Sequence, residues 1–322
     1  MSAEVSVVIP NWNGLKELKT CLPTVLKQSH KSFEVIVVDN GSHDGSVEYL
    51  HQNFPDVNVV ALPKNRGFAG GVNAGIRASV ADYVVLLNND TTVGHDWLKH
   101  LVGGLQDKPE YDFATSKMVY MSEPSKINSA GDTPTIYGVA LPIGMGEPAA
   151  KYNTNKPVFS ACGGAALYKR TMLNELGLFD EKFFAYLEDV DLSFRAQLAG
   201  HKCLYVANAE VLHEVSTTSK RHPGMAEFLT GRNTMMYVLK DWPKALRHKY
   251  RREIKQARRA WWRLGGPRWK LNVLKSYVSL LRLYPHIRRE RKKIHRSMVV
   301  SNDYIESFLV RTKPFGGKGF ND

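Results

Sequence analysis

The chain has 322 residues, of which 43% are hydrophobic and 23% are charged, so it can bury a full α/β core and a smaller appended unit. This composition excludes disorder, collagen and a coiled coil as descriptions of the whole chain. Its three cysteines, Cys21, Cys162 and Cys203, lie far apart, which argues against a disulfide framework, a zinc ribbon or an iron–sulfur site. The net charge is +13, but residues 240–296 alone hold 20 Lys and Arg against 3 Asp and Glu. The basic character therefore belongs to one segment.

The sequence contains no recognisable export or membrane-spanning segment. Residues 1–4 are not basic, and the apolar run 5–10 is too short for a signal peptide. The longest apolar stretch, 273–283, is interrupted by Lys275 and Arg282, which argues against a membrane span. We therefore expect a cytoplasmic protein, for which a peripheral position on the inner face of the cell membrane stays open.

The first hundred residues alternate β-branched runs with helical patterns, which indicates a parallel sheet covered by helices. The last of these strands runs straight into Asn88, Asn89 and Asp90, so these polar groups lie at its carboxyl end, where open α/β sheets bind ligands. The predicted strands are 5–9, 33–38, 57–62 and 83–87, and the predicted helices are 15–28, 45–54 and 69–79.

The second part of the chain is less regular. Residues 111–160 contain several Pro and Gly and predict strands with a long loop. Helical periodicity returns at 170–176 and at 188–199, and a final strand region is predicted at 204–206 and 211–213. After Trp242 and Pro243 the composition shifts to Arg, Lys and Trp in helical spacing, which places a boundary near residue 240.

Two loops at strand ends carry groups suited to a nucleotide diphosphate. Asp39 follows the second strand, where its carboxylate can accept a hydrogen bond from a base imide or a ribose hydroxyl. The glycine-rich loop 64–75 follows the third strand, and Arg66 within it suits phosphate charge. A dinucleotide fingerprint would instead follow the first strand, so a nicotinamide enzyme is disfavoured. A plain turn and a glycine-rich helix start are the structural alternatives.

A cation site is predicted where the fourth strand ends. Asp90 offers one carboxylate beside two amides, a set that suits Mg²⁺ or Mn²⁺ bridging a diphosphate. His213 can supply a nitrogen to the same cation, and the hydroxyl run 216–219 follows it. An ordinary turn and a structural histidine are the alternatives.

The strongest segment is 177–195, in which aromatic residues lead into three carboxylates at a helix start. Glu188, Asp189 and Asp191 fall within four positions, where the helix dipole favours anions and like charges crowd one another. Crowding of this kind suits a general base. Ordinary capping of a helix by acidic residues is the structural alternative.

These motifs, taken in order, give the chain its resemblance to a known family. The segments are 7–13, 38–42, 65–73, 88–90, 179–191 and His213. Together they resemble the family-2 glycosyltransferases of the GT-A fold, most closely the bacterial rhamnosyltransferase branch. The resemblance covers about residues 4–235. It implies an α/β fold with a mixed, mostly parallel, Rossmann-like sheet covered by helices, followed here by a basic helical extension.

The resemblance also implies an activity. It implies a metal-dependent, inverting transfer, with Mg²⁺ or Mn²⁺, from a nucleoside-diphosphate sugar to a hydroxyl of a growing or lipid-linked cell-surface glycan. The donor we expect is dTDP-rhamnose, and a UDP-linked hexose or galactofuranose is the alternative. On this basis residues 1–110 form the nucleotide-sugar half of a catalytic domain, residues 111–240 form the acceptor half, and residues 241–322 form the basic helical region.

The resemblance assigns roles to individual residues. Asp189 would be the base, with Glu188 or Asp191 orienting the acceptor or keeping Asp189 competent. Asp90 and His213 would hold the metal, although Asn88 departs from the usual Asp-x-Asp motif. Gly163, Gly164 and Glu188 would contact the acceptor. The nucleotide sugar would be bound by Pro10, Asn11, Asn13, Asp39, Asn65, Arg66, Gly67, Asn73 and Asn89, with Asp39 at the base.

The basic segment 240–296 admits two kinds of partner. Its four tryptophans among Arg and Lys are typical of interfacial helices on anionic lipid, and packing of these tryptophans on the catalytic domain is the structural alternative. Nucleic-acid binding would explain this segment alone, leaving the acidic motif without a purpose. A nucleotidyltransferase is disfavoured because no glycine-rich loop with a lysine follows the first strand. The tryptophans are Trp242, Trp261, Trp262 and Trp269.

Overall fold

A computed structural model describes residues 3–215 and 224–320; the hydroxyl run 216–219 lies outside the described residues. Within them, ten strands form one mixed sheet, and two further strands form a small antiparallel ribbon. The sheet is covered by helices, as predicted, and a helical region follows at the carboxyl-terminal end. The strands are β1 Val5–Asn11, β2 Phe33–Asp39, β3 Asn58–Ala61, β4 Tyr83–Leu87, β5 Thr91–Val93, β6 Phe113–Tyr120, β7 Glu123–Ser129, β8 Asp132–Pro134, β9 Ala140–Pro142, β10 Lys156–Val158, β11 Ala165–Lys169 and β12 Cys203–His213.

The helices connect these strands and then extend beyond them. The predicted helices of the first hundred residues are confirmed to within a few residues at their ends. The helices are α1 Leu15–Leu26, α2 Ser46–Asn53, α3 Gly67–Ala78, α4 Trp97–Gln106, α5 Arg170–Leu176, α6 Glu188–Leu198, α7 Met225–Lys240, α8 Lys244–Lys249, α9 Arg251–Arg263, α10 Pro267–Ile294 and α11 Asn302–Ser307.

The first four long strands are parallel and lie in the order β3-β2-β1-β4. Their continuous apolar runs are typical of strands buried on both faces. In β1 the side chains of Val7 and Ile9 enter one core cluster and Val8 enters the other, because successive residues of a strand point to opposite faces. The chain winds from β1 to β3 on one side and then crosses to β4 on the other. The strand order therefore reverses between β1 and β4, which is where such sheets bind ligands.

The remaining strands complete the sheet on the far side of β4. Strand β11 pairs antiparallel with both β4 and β6, and β12 runs parallel to β6. The final strand region is one long strand rather than two short ones, with a register shift between Val206 and Glu210. Residues 207–210 are Ala, Asn, Ala and Glu, which have low strand propensity, and this is why the sequence predicted two segments.

A third core cluster joins the helical region to the sheet domain. Phe183 and Phe194 pack in it with Trp242, Ile254 and Ile287, so residues on both sides of position 240 share one core. The division at residue 240 stays a prediction about domains.

The structure bears out the packing alternative for three of the four tryptophans of the basic segment. Trp242 is fully buried in the third core. Trp261 packs against Trp269, with ring centroids 4.6 Å apart, and against Phe315 at 5.2 Å, both in tilted arrangements. Only Trp262 is exposed among these tryptophans. The other three bury much of their large apolar area by packing on the protein.

A buried ion network ties α7 to the start of α6. The Lys240 ammonium contacts Asp191 and lies 2.7 Å from Asp180 Oδ2, and Arg195 Nε donates to Asp191 Oδ2 at 3.0 Å. Burial opposes the charge of Lys240, but the surrounding carboxylates outweigh it, so the pKa of Lys240 is raised. His286 of α10 contacts the same Asp180 oxygen at 2.8 Å. Its hydrogen bond and the Lys240 charge hold the pKa of Asp180 below its usual range despite burial.

We predict that Lys240→Met lowers the free energy of unfolding by about 3–5 kcal/mol, because it removes the buried ammonium that two carboxylates share. Lys293→Met, which removes an exposed ion pair with Glu290, serves as the control and should cost at most about 1 kcal/mol. Denaturant unfolding of both variants measures the difference. Equal small losses would show that the buried network contributes little to stability.

Candidate active site

The carboxyl ends of β1 and β4 open into a cleft of about 550 Å³. Helix α6 and the loop before it form the opposite wall. The cleft therefore lies where the strand order reverses. The predicted site residues that line it are Pro10, Asn11, Asn65, Gly67, Asn89, Asp90, Gly163, Gly164, Glu188, Asp189 and His213.

Asp90 and His213 meet on one side of the cleft. Strand β5 pairs with β12 so that Thr91 lies opposite His213, which brings the His213 Nε2 atom to 3.3 Å from Asp90 Oδ1. His213 Nδ1 lies 2.9 Å from Asn128 Oδ1. This contact orients the imidazole ring so that Nε2 is directed toward Asp90. An oriented imidazole beside a carboxylate suits a divalent cation.

Asp189 lies at the start of α6, and backbone N–H groups hold both of its carboxylate oxygens. Gly163 N–H donates to Oδ2 and Val190 N–H donates to Oδ1, each at 2.8 Å. A Cβ atom on Gly163 would lie 3.2 Å from the Cβ of Asp189, so a glycine permits this close approach. Burial raises the pKa of Asp189, and the two N–H groups oppose the rise.

Asp132 is a cleft residue that the sequence analysis missed. One ligand atom from each of Asp132, Cys162 and Asp189 falls within 4.8 Å of the other two. Burial, followed by the charge of Asp189, raises the pKa of Asp132 well above its usual range. The two backbone N–H groups that bond to Asp189 favour ionisation of Asp189 over Asp132 when the pair holds one proton. Asp132 lies in the irregular region 111–160, where no pattern singled it out.

The Asp132–Cys162–Asp189 group suits a hard cation poorly. Burial, followed by the charges of Asp132 and Asp189, raises the pKa of the Cys162 thiol well above its usual value. The thiol therefore stays neutral and soft, whereas Mg²⁺ and Mn²⁺ prefer oxygen and imidazole ligands. The pair Asp90 and His213 fits the implied metal better.

Glu188 presents a buried carboxyl to the cleft. Its side chain is 6% exposed, and burial, followed by the charge of Asp189, raises its pKa well above the usual range. Within residues 3–215 and 224–320, no group donates a hydrogen bond to its Oε2 atom. A protonated carboxyl in this position can donate to, or accept from, a hydroxyl of a bound sugar.

The loop before α6 has an unusual backbone. Phe184, Tyr186 and Leu187 have φ values of 68°, 70° and 67°, in the left-handed region that bulky residues avoid. This conformation aims the first turn of α6 into the cleft. It persists only when the surroundings hold it in place.

Two polar residues of α7 hold this loop, and the sequence analysis missed both. Asn233 Nδ2 donates to the carbonyls of Phe183, Ala185 and Tyr186 at 3.0, 2.8 and 2.7 Å. Arg232 also donates to the Phe183 carbonyl at 2.7 Å. The available signal was an Arg-Asn pair that precedes the apolar run 235–239 of the helix.

The same loop docks on the glycine-rich loop of the nucleotide half. Ala69 N–H donates to the Phe184 carbonyl at 3.1 Å. Gly67 has φ +74°, and a Cβ atom there would lie 2.2 Å from the same carbonyl oxygen. Glycine is therefore required at this position both by conformation and by space.

Two predicted site residues do not reach the cleft. Asn73 is buried, and its side chain binds both the N–H and the carbonyl of Phe179 at 3.0 and 2.9 Å, so it fixes the segment before the acidic motif. Asp191 is fully buried and bonds to Arg195 and Lys240. It acts through the position of α6 and not by contact with an acceptor.

Three predicted nucleotide contacts lie beside the cleft. Asp39 accepts hydrogen bonds from Asn11 at 3.3 Å and from the Ser42 N–H at 3.0 Å. Asn13 accepts from the N–H of residue 43 at 2.8 Å. Arg66 pairs with Glu181 at 2.6 Å. In this arrangement the three side chains support the rim of the cleft, and their nucleotide contacts stay predictions.

The architecture places the protein in the GT-A class. The chain resembles the solved structure of GalNAc-T7 with UDP, GalNAc and Mn²⁺, with a TM-score of 0.67 and 16% identity over 95% of this chain and 56% of that one. It also resembles a mannosyltransferase from Pyrobaculum calidifontis in complex with GDP-Man and Mn²⁺, with a TM-score of 0.54 and 16% identity over 92% and 86% of the two chains.

The sequence defines the family. Residues 6–177 match the model of glycosyl transferase family 2, and the chain belongs to that family. A similar curated protein is the N-acetylglucosaminyl-diphospho-decaprenol L-rhamnosyltransferase of Mycobacterium tuberculosis, 26% identical over 91% of this chain and 97% of that protein. The predicted family and fold are thus confirmed, and the protein is a glycosyltransferase.

We predict that Asp189→Asn lowers turnover by about 10²–10⁴-fold, because it removes the ionised member of the carboxyl pair. Asp132→Asn should stay within about tenfold of wild type, since the two N–H groups favour Asp189 as the member of the pair that ionises. Both variants keep the shape of the side chain, so nucleotide affinity should change little. Steady-state kinetics with a nucleotide-binding control tests this order, and the reverse order would identify Asp132 as the base.

We also predict the pH profile of the wild-type enzyme. A base works only when ionised, and the pKa of Asp189 is raised by burial. The acidic limb of kcat/KM should therefore fall at a pH above the ordinary aspartate value of about 3.9. A limb at or below that value would contradict the assignment of a buried base.

Proposed function

We propose that the protein transfers rhamnose from dTDP-rhamnose to a hydroxyl of a growing or lipid-linked cell-surface glycan, with inversion at the anomeric carbon. The observation that carries the proposal is one cleft with two chemically distinct sides. The Asp90 and His213 pair lies on one side, and the buried carboxyls of Glu188 and Asp189 lie on the other. A leaving diphosphate and an attacking hydroxyl need groups of these two kinds.

The choice of sugar and acceptor rests on similarity. The Mycobacterium tuberculosis relative is named as a rhamnosyltransferase that acts on a polyprenyl-diphosphate lipid, and it aligns along nearly its whole length. A UDP-linked hexose or galactofuranose is the alternative donor. The acceptor hydroxyl would enter between Glu188 and Asp189, where Gly163 and Gly164 bring backbone to the cleft surface.

In the proposed reaction Asp189 takes the proton of the acceptor hydroxyl. The acceptor oxygen then forms a bond to the anomeric carbon, while the bond from that carbon to the diphosphate oxygen breaks on the opposite face. The N–H groups of Gly163 and Val190 orient the Asp189 carboxylate. Glu188 positions the acceptor by hydrogen bonding to a neighbouring hydroxyl, and Asn11 and Asn89 contact the nucleotide sugar.

Asp90 and His213 would hold a Mg²⁺ or Mn²⁺ ion, as their donor atoms suit it. When bound, such an ion neutralises negative charge on a leaving diphosphate. Both solved neighbours described above contain Mn²⁺, which supports this choice of cofactor.

A lipid-linked acceptor also requires the enzyme to work at a membrane. We propose a peripheral position on the cytoplasmic leaflet, with the basic segment 241–296 facing anionic lipid. Within the described residues, the structure has no helix long and apolar enough to cross a bilayer.

Calorimetric binding of dTDP, UDP and GDP, each with and without Mn²⁺ or Mg²⁺, tests the proposal. We expect dTDP to bind at least about tenfold more tightly than GDP, with metal-enhanced affinity that Asp90→Asn removes. Asp56→Asn is the matched control, because Asp56 is exposed and is not among the residues that line the cleft. Selective binding of UDP would favour the alternative donor. Failure of all three nucleotides to bind would overturn the sugar-nucleotide reaction.

A further inference from the structure

Helix α10 has two apolar faces, and only one of them packs on the protein. Its inner face buries Val273 and Ile287 against α7 and the third core. Its outer face carries a second row, which we call the outer stripe and which faces solvent. The outer stripe consists of Leu271, Leu274, Val278 and Leu281, with exposed fractions of 50%, 53%, 45% and 74%.

The spacing shows that the outer stripe is one continuous surface. Successive members lie three, four and three residues apart, which places them on a single side of a helix. Four large exposed aliphatic side chains in one row are costly in water, and such patches mark interaction sites. The row ends where exposed cations begin, at Arg288 and Arg289.

Charge around the outer stripe selects the partner. Residues 267–294 hold nine Lys and Arg and one acid, Glu290. Lys275 and Arg282 are exposed and fall next to the stripe on the helix surface. A second copy of the same cationic face would be repelled, whereas an anionic bilayer offers both a hydrocarbon boundary and negative headgroups.

A basic groove adjoins the outer stripe. It lies between α7, α9 and α10 with a volume of about 1010 Å³ and is lined by Tyr277, which is three residues after Leu274 and four before Leu281 and so lies beside the stripe on the helix surface. The Arg258 guanidinium lies 5.1 Å from the centre of the Tyr277 ring. The other cations that line the groove are Arg247, Arg251, Lys255, Arg259 and Arg263.

We propose that the outer stripe inserts into the interfacial region of an anionic bilayer while the basic groove faces its headgroups. The helix then lies in the plane of the membrane rather than across it. This inference deepens the proposed function, which requires a membrane surface, by naming the residues that meet lipid. The apolar contact is made by aliphatic residues of α10 and not by the buried tryptophans.

The proposed surface is connected to the active site. Helix α10 packs along α7, and α7 carries the Asn233 side chain that holds the catalytic loop. His286 of α10 also contacts Asp180 at 2.8 Å, in the segment that leads to this loop. A membrane-bound α10 would therefore fix the orientation of the cleft relative to the lipid surface.

Flotation of the full chain with vesicles tests the inference without any acceptor or nucleotide. Wild type should float with phosphatidylglycerol-containing vesicles and much less with phosphatidylcholine vesicles. Leu274→Ser with Leu281→Ser should lower partition by about tenfold or more. Lys275→Gln with Arg282→Gln should lower it by about fivefold per charge on the anionic vesicles only.

The matched control replaces two exposed apolar residues elsewhere, Val80→Ser with Met145→Ser, and should float like wild type. All variants should keep the wild-type Tm, because every replaced side chain is exposed. The inference is overturned if wild type does not bind anionic vesicles, or if the stripe variant floats as the control does. It is also overturned if sedimentation shows a dimer that the stripe variant alone converts to monomer while vesicle binding persists.

These outcomes are distinguishable from failure of the proposed function. Nucleotide binding by the wild-type protein is measured without vesicles, and vesicle binding is measured without nucleotide. Loss of one with retention of the other identifies which proposal fails.

Discussion

The catalytic geometry depends on one amide. Asn233 donates to three carbonyl groups of a loop whose bulky residues adopt left-handed backbone angles. Such a conformation costs about 1–3 kcal/mol per residue, and these hydrogen bonds offset that cost. The loop in turn aims Glu188 and Asp189 into the cleft. The carboxyl groups of the acidic motif therefore belong to α6, whereas α7 holds the loop that positions them.

The same dependence explains why the helical region cannot be regarded as a simple appendage. Lys240 ends α7 and contacts Asp191, two positions beyond the base, while His286 of α10 reaches Asp180 on the other side of the loop. Charges buried in this way need their partners, since an isolated one is expensive. The position of α6 is thus fixed by ion pairs from two helices that follow the sheet in sequence.

The strands and helices that show a clear local periodicity were predicted from the sequence. Strands such as β1 and β4 are continuous apolar runs with polar ends, so their position and the cleft at their carboxyl edge followed directly. Asp132 and Asn233 were missed because their roles arise from contacts with residues far along the chain. Asn73 and Asp191 were placed in the site because polarity in a motif is visible in sequence, whereas burial is not. For the same reason the sequence did not show which tryptophans of the basic segment pack on the protein.

The separation of charges in the cleft has a chemical consequence. A carboxylate that bound a cation would lose the basicity needed to accept a proton, because the positive charge lowers its pKa. Here the pair suited to a cation, Asp90 and His213, is brought together by the pairing of β5 with β12, whereas Asp189 lies at the start of α6 near Cys162 and Asp132. Burial, followed by neighbouring negative charge, raises the pKa values of both Cys162 and Asp132. The protein thus keeps Asp189 basic in two ways. It separates Asp189 from the pair suited to a cation, and it places Asp189 among groups whose ionisation is disfavoured by burial.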